Sequence, residues 1–205
     1  MVRTHLLLAV LAVTVLGPAM AAPVVDGNVT PADAYTLPLN DTLNEPGLAS
    51  PNMDISSLQY AGDSDWHYFG LTVQANPISV VGGDDTGSTL FFSIFRDTPT
   101  GAAKYQIRIM MGELQSVNLY ERVGSSWKPV SLASSDFDMA IDNALEFKVK
   151  KSAMPNLNAS QFYVTAQLDD QYINNDDVVS GVVPEPVTMT FIAIGGIGLA
   201  IRRRR

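Results

Sequence analysis

Two tryptophans and a scatter of tyrosines are the residues of this 205-residue chain best suited to grip another molecule. Trp66 opens the run Trp66-His67-Tyr68-Phe69-Gly70-Leu71-Thr72-Val73, and Trp127 follows the turn residues Gly124-Ser125-Ser126. Tyr68, Tyr120 and Tyr163 fall on strand faces opposite the apolar, core-forming positions. Exposed rings stack on the C–H faces of a pyranose while polar neighbours take its hydroxyls. Trp66, Trp127, Tyr68 and Tyr120 are therefore candidate ligand-binding residues. A buried or edge-packed ring is the competing reading for each tryptophan.

Catalytic residues are harder to find. His67 is the only histidine after His5, so no histidine pair can hold a metal and a Ser-His-Asp arrangement would need His67 as its base. Its place on the same side as Phe69 and Leu71 favours a hydrogen-bonded core imidazole. The absence of cysteine excludes disulfides, thiolate metal sites and cysteine nucleophiles. No nucleophile elbow, phosphate loop or dinucleotide fingerprint occurs. A glycosidase-type carboxylate pair stays open by count alone, since 21 residues are acidic. The expectation is a protein with no catalytic residues and no obligatory cofactor. Calcium is the metal its loops could take: Asp169, Asp170, Asn174, Asp176 and Asp177 crowd hard oxygen ligands into one stretch, although none forms an EF-hand loop and acidic loops are often merely solvated.

Composition limits the partners. With 13 basic against 21 acidic residues and a net charge of −8, the chain lacks the cationic excess that phosphate backbones require, so no nucleic-acid partner is expected. A hydrophobic share of 46% is enough for a real core. The elements positioning the aromatic residues follow period two. Phe69, Leu71 and Val73 alternate, as do Tyr105, Ile107 and Ile109; Phe137, Met139 and Ile141; Leu145, Phe147 and Val149; and Phe162, Val164, Ala166 and Leu168. Thr89 to Phe95 is a denser β-type run, and Val117 to Tyr120 makes a hairpin with the strand holding Trp127. The single helical candidate, Lys151 to Leu157, is broken by Pro155. This pattern predicts an all-β chain, a single antiparallel, jelly-roll-like β-sandwich over 22–170. Residues 171–183 are a linker or the closure of the domain.

Both ends read as addresses. Arg3 begins a basic region, Leu6 to Leu16 is apolar, Gly17-Pro18 breaks the helix, and Ala19 and Ala21 supply small residues for cleavage, so 1–21 is a signal peptide. Export machinery and signal peptidase are the partners this implies. At the other end, Val183-Pro184-Glu185-Pro186 precedes an apolar segment, 187–201, and then Arg202, Arg203, Arg204 and Arg205. As a helix, that segment covers only about 22 Å, short of a ~30 Å hydrocarbon core. The arginines would hold its end on the cytoplasmic side, and Gly195, Gly196 and Gly198 leave it a small-faced surface.

The ending over 184–205 resembles the PEP-CTERM sorting signal of Gram-negative bacteria, with Pro184-Glu185-Pro186 as the tripeptide. The resemblance implies transient membrane insertion, cleavage near Pro-Glu-Pro by an exosortase-type membrane protease, and delivery to the cell envelope, cell surface or matrix, often alongside extracellular polysaccharide. A permanent tail anchor is the alternative. Val25-Asp26-Gly27, the Trp66 to Val73 strand, and Leu145 to Val149 followed by Phe162 to Thr165 are similar to family-9 carbohydrate-binding modules and their DOMON-like relatives, although the tryptophan usual after the opening Asp-Gly is missing.

The resulting expectation is an exported, non-catalytic surface module associated with polysaccharide. A carboxylate-pair carbohydrate enzyme and a haem or redox module are the alternatives. Processing at both ends would remove five of the 13 basic residues and one of the 21 acidic ones, leaving a more anionic product. Intact-mass measurement of the exported protein should therefore find Arg202 to Arg205 gone; their retention would identify a permanent anchor.

Overall fold

The computed structural model describes residues 22–33, 35, 37–41, 43, 54–74, 89–95, 102–110, 116–155, 157, 161–169 and 177–184. Ala19 and Ala21, the segment 187–201, and Glu185, Pro186 and Arg202 to Arg205 lie outside the described residues, as do Asp170, Asn174 and Asp176. No helix among the described residues is long and apolar enough to cross a membrane.

The described residues form eleven strands in two antiparallel sheets, most of them built on alternating apolar residues: β1 (Leu37–Asn40), β2 (Ile55–Gly62), β3 (Trp66–Val73), β4 (Thr89–Phe95), β5 (Tyr105–Met110), β6 (Ser116–Val123), β7 (Ser126–Val130), β8 (Phe137–Ile141), β9 (Ala144–Lys150), β10 (Gln161–Asp169) and β11 (Asp177–Pro184). One sheet has the order β1-β2-β3-β9-β8 and the other β11-β10-β4-β5-β6-β7. Side chains of both sheets meet in one core, where the Phe69 and Phe92 ring centroids lie 4.5 Å apart and Phe162 meets Tyr60 edge-on at 5.4 Å. The helical candidate reduces to a three-residue 3₁₀ turn, Lys151–Ala153, because Pro155 follows before a second turn can form.

Two strands escape simple alternation. β2 mixes Ser56 and Ser57 into its start, and a register shift between Ile55 and Ser57 interrupts the period. Between Asp177 and Pro184, β11 is valine, serine and glycine with no large side chain, yet it pairs with β10 from Leu168↔Asp177 to Gln161↔Pro184. Val179 and Val183 are buried. Of the stretch 171–183, expected as a linker or the closure of the domain, the part from Asp177 belongs to the six-stranded sheet, which continues through Pro184. Gly181 faces Leu39, whose methyl carbon would lie 2.5 Å from an added Cβ, so this glycine lets the edges of the two sheets approach.

A buried carboxylate joins the first described segment to the sheet. Glu146, outward-facing on β9, is 0% exposed because Asp26, Gly27, Asn28 and Tyr35 cover it. Its Oε2 accepts backbone N–H bonds from Asp26, Gly27 and Asn28 at 3.0, 2.9 and 3.1 Å, and its Oε1 accepts the Tyr35 hydroxyl at 2.9 Å. Three successive amides can converge on one oxygen only if the chain curls, and Gly27 supplies the curl with φ +88°. A Cβ at Gly27 would come within 2.7 Å of the Asp142 backbone nitrogen. Gly70, paired with Glu146 on β3, leaves room for Val29 and the Tyr35 ring. Ala144 donates its backbone N–H to Gly27 at 2.8 Å and completes the attachment.

Buried donors left without partners cost about 1–3 kcal/mol each. Glu146→Ala, which orphans three amides, should lower unfolding free energy in urea by ~3 kcal/mol or more. Glu146→Gln should cost less than half of that, since its carbonyl can keep the amides while its NH₂ donates to the Tyr35 oxygen. Equal losses for both variants would show that packing, not hydrogen bonding, holds the segment.

Candidate functional site

The β2–β3 turn sets Trp66. Asp63 Oδ1 accepts the backbone N–H groups of Asp65 and Trp66, both at 2.8 Å, and Asp63 Oδ2 accepts the Tyr68 hydroxyl at 2.8 Å. Burial pushes the Asp63 carboxyl up, but those bonds and the nearby Lys151 charge outweigh it and hold the group below the usual carboxylate range. Burial and the same hydrogen bond push the Tyr68 phenol up to about 12. Across the sheet Trp66 pairs with Lys150, and the Lys151 N–H bonds the Asp65 carbonyl at 2.8 Å.

This arrangement leaves a cleft of about 380 Å³ lined by Ser64, Asp65, Trp66, Lys150, Lys151 and Ser152. The Lys148 and Lys150 ammonium groups lie 5.2 and 5.5 Å from the Trp66 ring centroid. Each is anchored by a carboxylate, Lys148 by Asp138 at 3.2 Å and Lys150 by Asp136 at 2.7 Å. Lys151 makes no ion pair among the described residues. The cleft thus joins an aromatic ring to hydroxyls, a carboxylate and an ammonium group available to a ligand.

The four aromatic candidates divide between two surfaces. Trp66 and Tyr68 belong to the outer face of the five-stranded sheet, whereas Tyr120 and Trp127 lie on the outer face of the six-stranded one. Tyr68 is only 5% exposed and offers no stacking surface, because its hydroxyl is turned into the Asp63 turn. Tyr120 is half-buried beneath the Arg108 guanidinium, 4.5 Å from its ring centroid, and the same guanidinium lies 5.6 Å from Phe91. Trp127 is half-buried with Arg122 5.6 Å from its ring. Of the four, Trp66 alone lines the cleft.

The oxygen-rich stretch also divides. Asp177 is no loop ligand: it is 4% exposed, one carboxylate oxygen accepts the Ile55 N–H, and the other accepts the Val178 N–H at 2.8 Å. It fastens β11 to β2. Asp169 closes β10. Among the described residues no group of three or more His, Asp or Glu side chains could hold a metal ion. Val183 and Pro184, expected beside a processing site, are the last two residues of β11.

Several relevant residues carried no sequence signal. Lys150, Lys151 and Ser152 look like ordinary surface residues until strand pairing gathers them around Trp66. Glu146 occupies a normal outward position two residues before Lys148, and nothing local announces that a segment 120 residues away will cover it. No protein family, characterised protein or solved structure matches the chain.

His67 is inside the core at 2% exposure, with Nδ1 2.9 Å from the Tyr60 hydroxyl. Burial, helped by Lys151 and opposed by Asp63, lowers its pKa from 6.5 to about 3. Between those values the unfolded chain binds a proton at His67 that the folded chain refuses. Stability is therefore complete above pH 6.5 and falls with pH through the window, by up to about 1.4 kcal/mol per unit. Urea midpoints measured from pH 6.5 to 5 should show this fall, and His67→Phe should flatten it. An unchanged slope in the variant would contradict a neutral, buried imidazole.

Proposed function

We propose that this chain is an exported, non-catalytic β-sandwich module of the cell surface or extracellular matrix, and that it binds a saccharide in the Trp66 cleft. The two sheets are read as one sandwich, jelly-roll-like in that the non-consecutive pairs β3–β9 and β4–β10 lie at its centre. The observation that carries the binding reading is the convergence of an aromatic ring, two serine side chains, Asp65 and Lys151 on one concavity of about 380 Å³. A sugar ring needs this mixture: an apolar face for its C–H bonds and polar groups for its hydroxyls. Lys151, which makes no ion pair among the described residues, would favour a saccharide carrying an acidic group.

Export and surface delivery rest on the residues at the two ends, the leader 1–21 and the Pro184-Glu185-Pro186, 187–201 and Arg202 to Arg205 succession. A signal peptidase and an exosortase-type protease are the partners of that route, and extracellular polysaccharide is the natural ligand class at its destination.

The cleft favours binding over hydrolysis. A glycosidase mechanism needs two carboxylates flanking the scissile bond, whereas Asp65 is the one acid among the residues lining the cleft. A haem or redox role is disfavoured because the single histidine beyond the leader lies in the core against Tyr60.

Calorimetric titration with neutral and uronate-containing oligosaccharides tests the reading. Trp66→Ala should weaken binding of the acidic ligand at least about tenfold, the scale of losing one stacked ring and its burial. Lys151→Gln should weaken the acidic ligand more than the neutral one. Full affinity in both variants would remove the cleft from consideration.

A further inference from the structure

The strand directions bring the last described residue and the β6–β7 turn to the same end of the molecule. Pro184 pairs with Gln161, Tyr163 with Phe95, Ile94 with Tyr105, and Tyr105 with Glu121, next to the Arg122–Trp127 pair. The Gly124-Ser125 turn therefore projects from the end at which the chain leaves the sheet. Only Glu185 and Pro186 separate Pro184 from the apolar segment 187–201. Three residue steps span at most about 11 Å, so this end cannot stand far from wherever that segment begins.

Its surface chemistry suits a bilayer. Val123, at the turn, is 47% exposed, and Val182, two strand pairs in from Pro184, is 45% exposed. Trp127 is half-buried beside Arg122, and Lys128 is exposed. Lys104, Lys150 and Lys151 lie at the same end, whereas Asp26, Asp54, Asp142 and Asp177 gather at the opposite one. Those lysines share their end with Asp63, Asp65, Glu121 and Asp136, Lys104 pairing with Glu121 and Lys150 with Asp136, so this end is close to charge-balanced and the turn adds Arg122 and Lys128 to it. Tryptophan with arginine and lysine is the combination that settles at the headgroup level, and basic residues near the surface gain from anionic lipid.

We propose that the β6–β7 turn, through Arg122, Val123, Trp127 and Lys128, docks on an anionic lipid bilayer while the chain is membrane-anchored. This rests on the proposal that 187–201 inserts. The orientation follows: the end carrying Arg122 and Lys128 faces lipid, and the Glu146-held segment points away. Docking would also place the Trp66 cleft near the membrane until the module is released.

The full chain carrying Trp66→Phe, leaving Trp127 as its one tryptophan, is reconstituted into phosphatidylglycerol-containing vesicles bearing brominated lipid. Expected is co-flotation with the vesicles after alkaline extraction, quenching of Trp127 by the bromines, and protection from aqueous iodide. Arg122→Glu with Lys128→Glu should abolish quenching while flotation persists, and phosphatidylcholine vesicles should quench less. Flotation with Trp127 unquenched and open to iodide would overturn the docking alone. Failure to float would overturn the insertion reading and the docking with it.

Discussion

One buried carboxylate decides how the beginning of this domain is attached to its middle. Glu146 gathers three consecutive amides and a phenol without a counterion among its hydrogen-bond partners. Each bond to a charged acceptor is stronger than a neutral one, and each amide would be orphaned without it. The surroundings are arranged around that requirement. Gly27 provides the curl, Gly70 the space beneath Val29 and Tyr35, and Ala144 the backbone bond that closes the loop. Burial and the neighbouring Glu146 charge push the Tyr35 phenol far above its ordinary range, so it remains a donor under any ordinary condition.

Fixing that segment covers part of the outer face of the five-stranded sheet and leaves the rest exposed. The covered part runs over Gly70 and Glu146; the uncovered part carries Lys148, Lys150 and Trp66 toward the opposite end of β3 and β9. Two carboxylate-centred turns therefore divide the labour. Glu146 organises a dry attachment, whereas Asp63, with amides on one oxygen and Tyr68 on the other, organises the approach to an open cleft. The first suits stability and the second suits recognition.

The alternation of large apolar residues made most of the fold legible. β4 over Thr89–Phe95 and the β6–β7 hairpin lie where the sequence pattern puts them, and His67 faces inward with Phe69 and Leu71 as its position implies. β2 and β11 were illegible for two physical reasons: the register shift between Ile55 and Ser57 sets the buried Ile55 and Leu58 three positions apart rather than two, and β11 carries valines on both faces, Val179 and Val183 buried but Val178 and Val182 exposed, so its hydrophobic contrast is low. The aromatic candidates were legible as outward residues, but their separation onto two sheets depends on long-range pairing that no local pattern encodes. Tyr68 shows a further limit. Its position correctly implies an outward side chain, while Asp63 turns the hydroxyl into the fold and removes the ring from the surface.

With Trp66 and Trp127 as the only tryptophans, the protein has two indole N–H reporters, one in the cleft and one at the β6–β7 turn. An indole-selective nitrogen–proton spectrum recorded during titration with an acidic oligosaccharide tests the saccharide-binding account directly. The account predicts that the Trp66 signal moves saturably while the Trp127 signal stays in place. Movement of Trp127 alone, or of neither signal at saturating ligand, would contradict it.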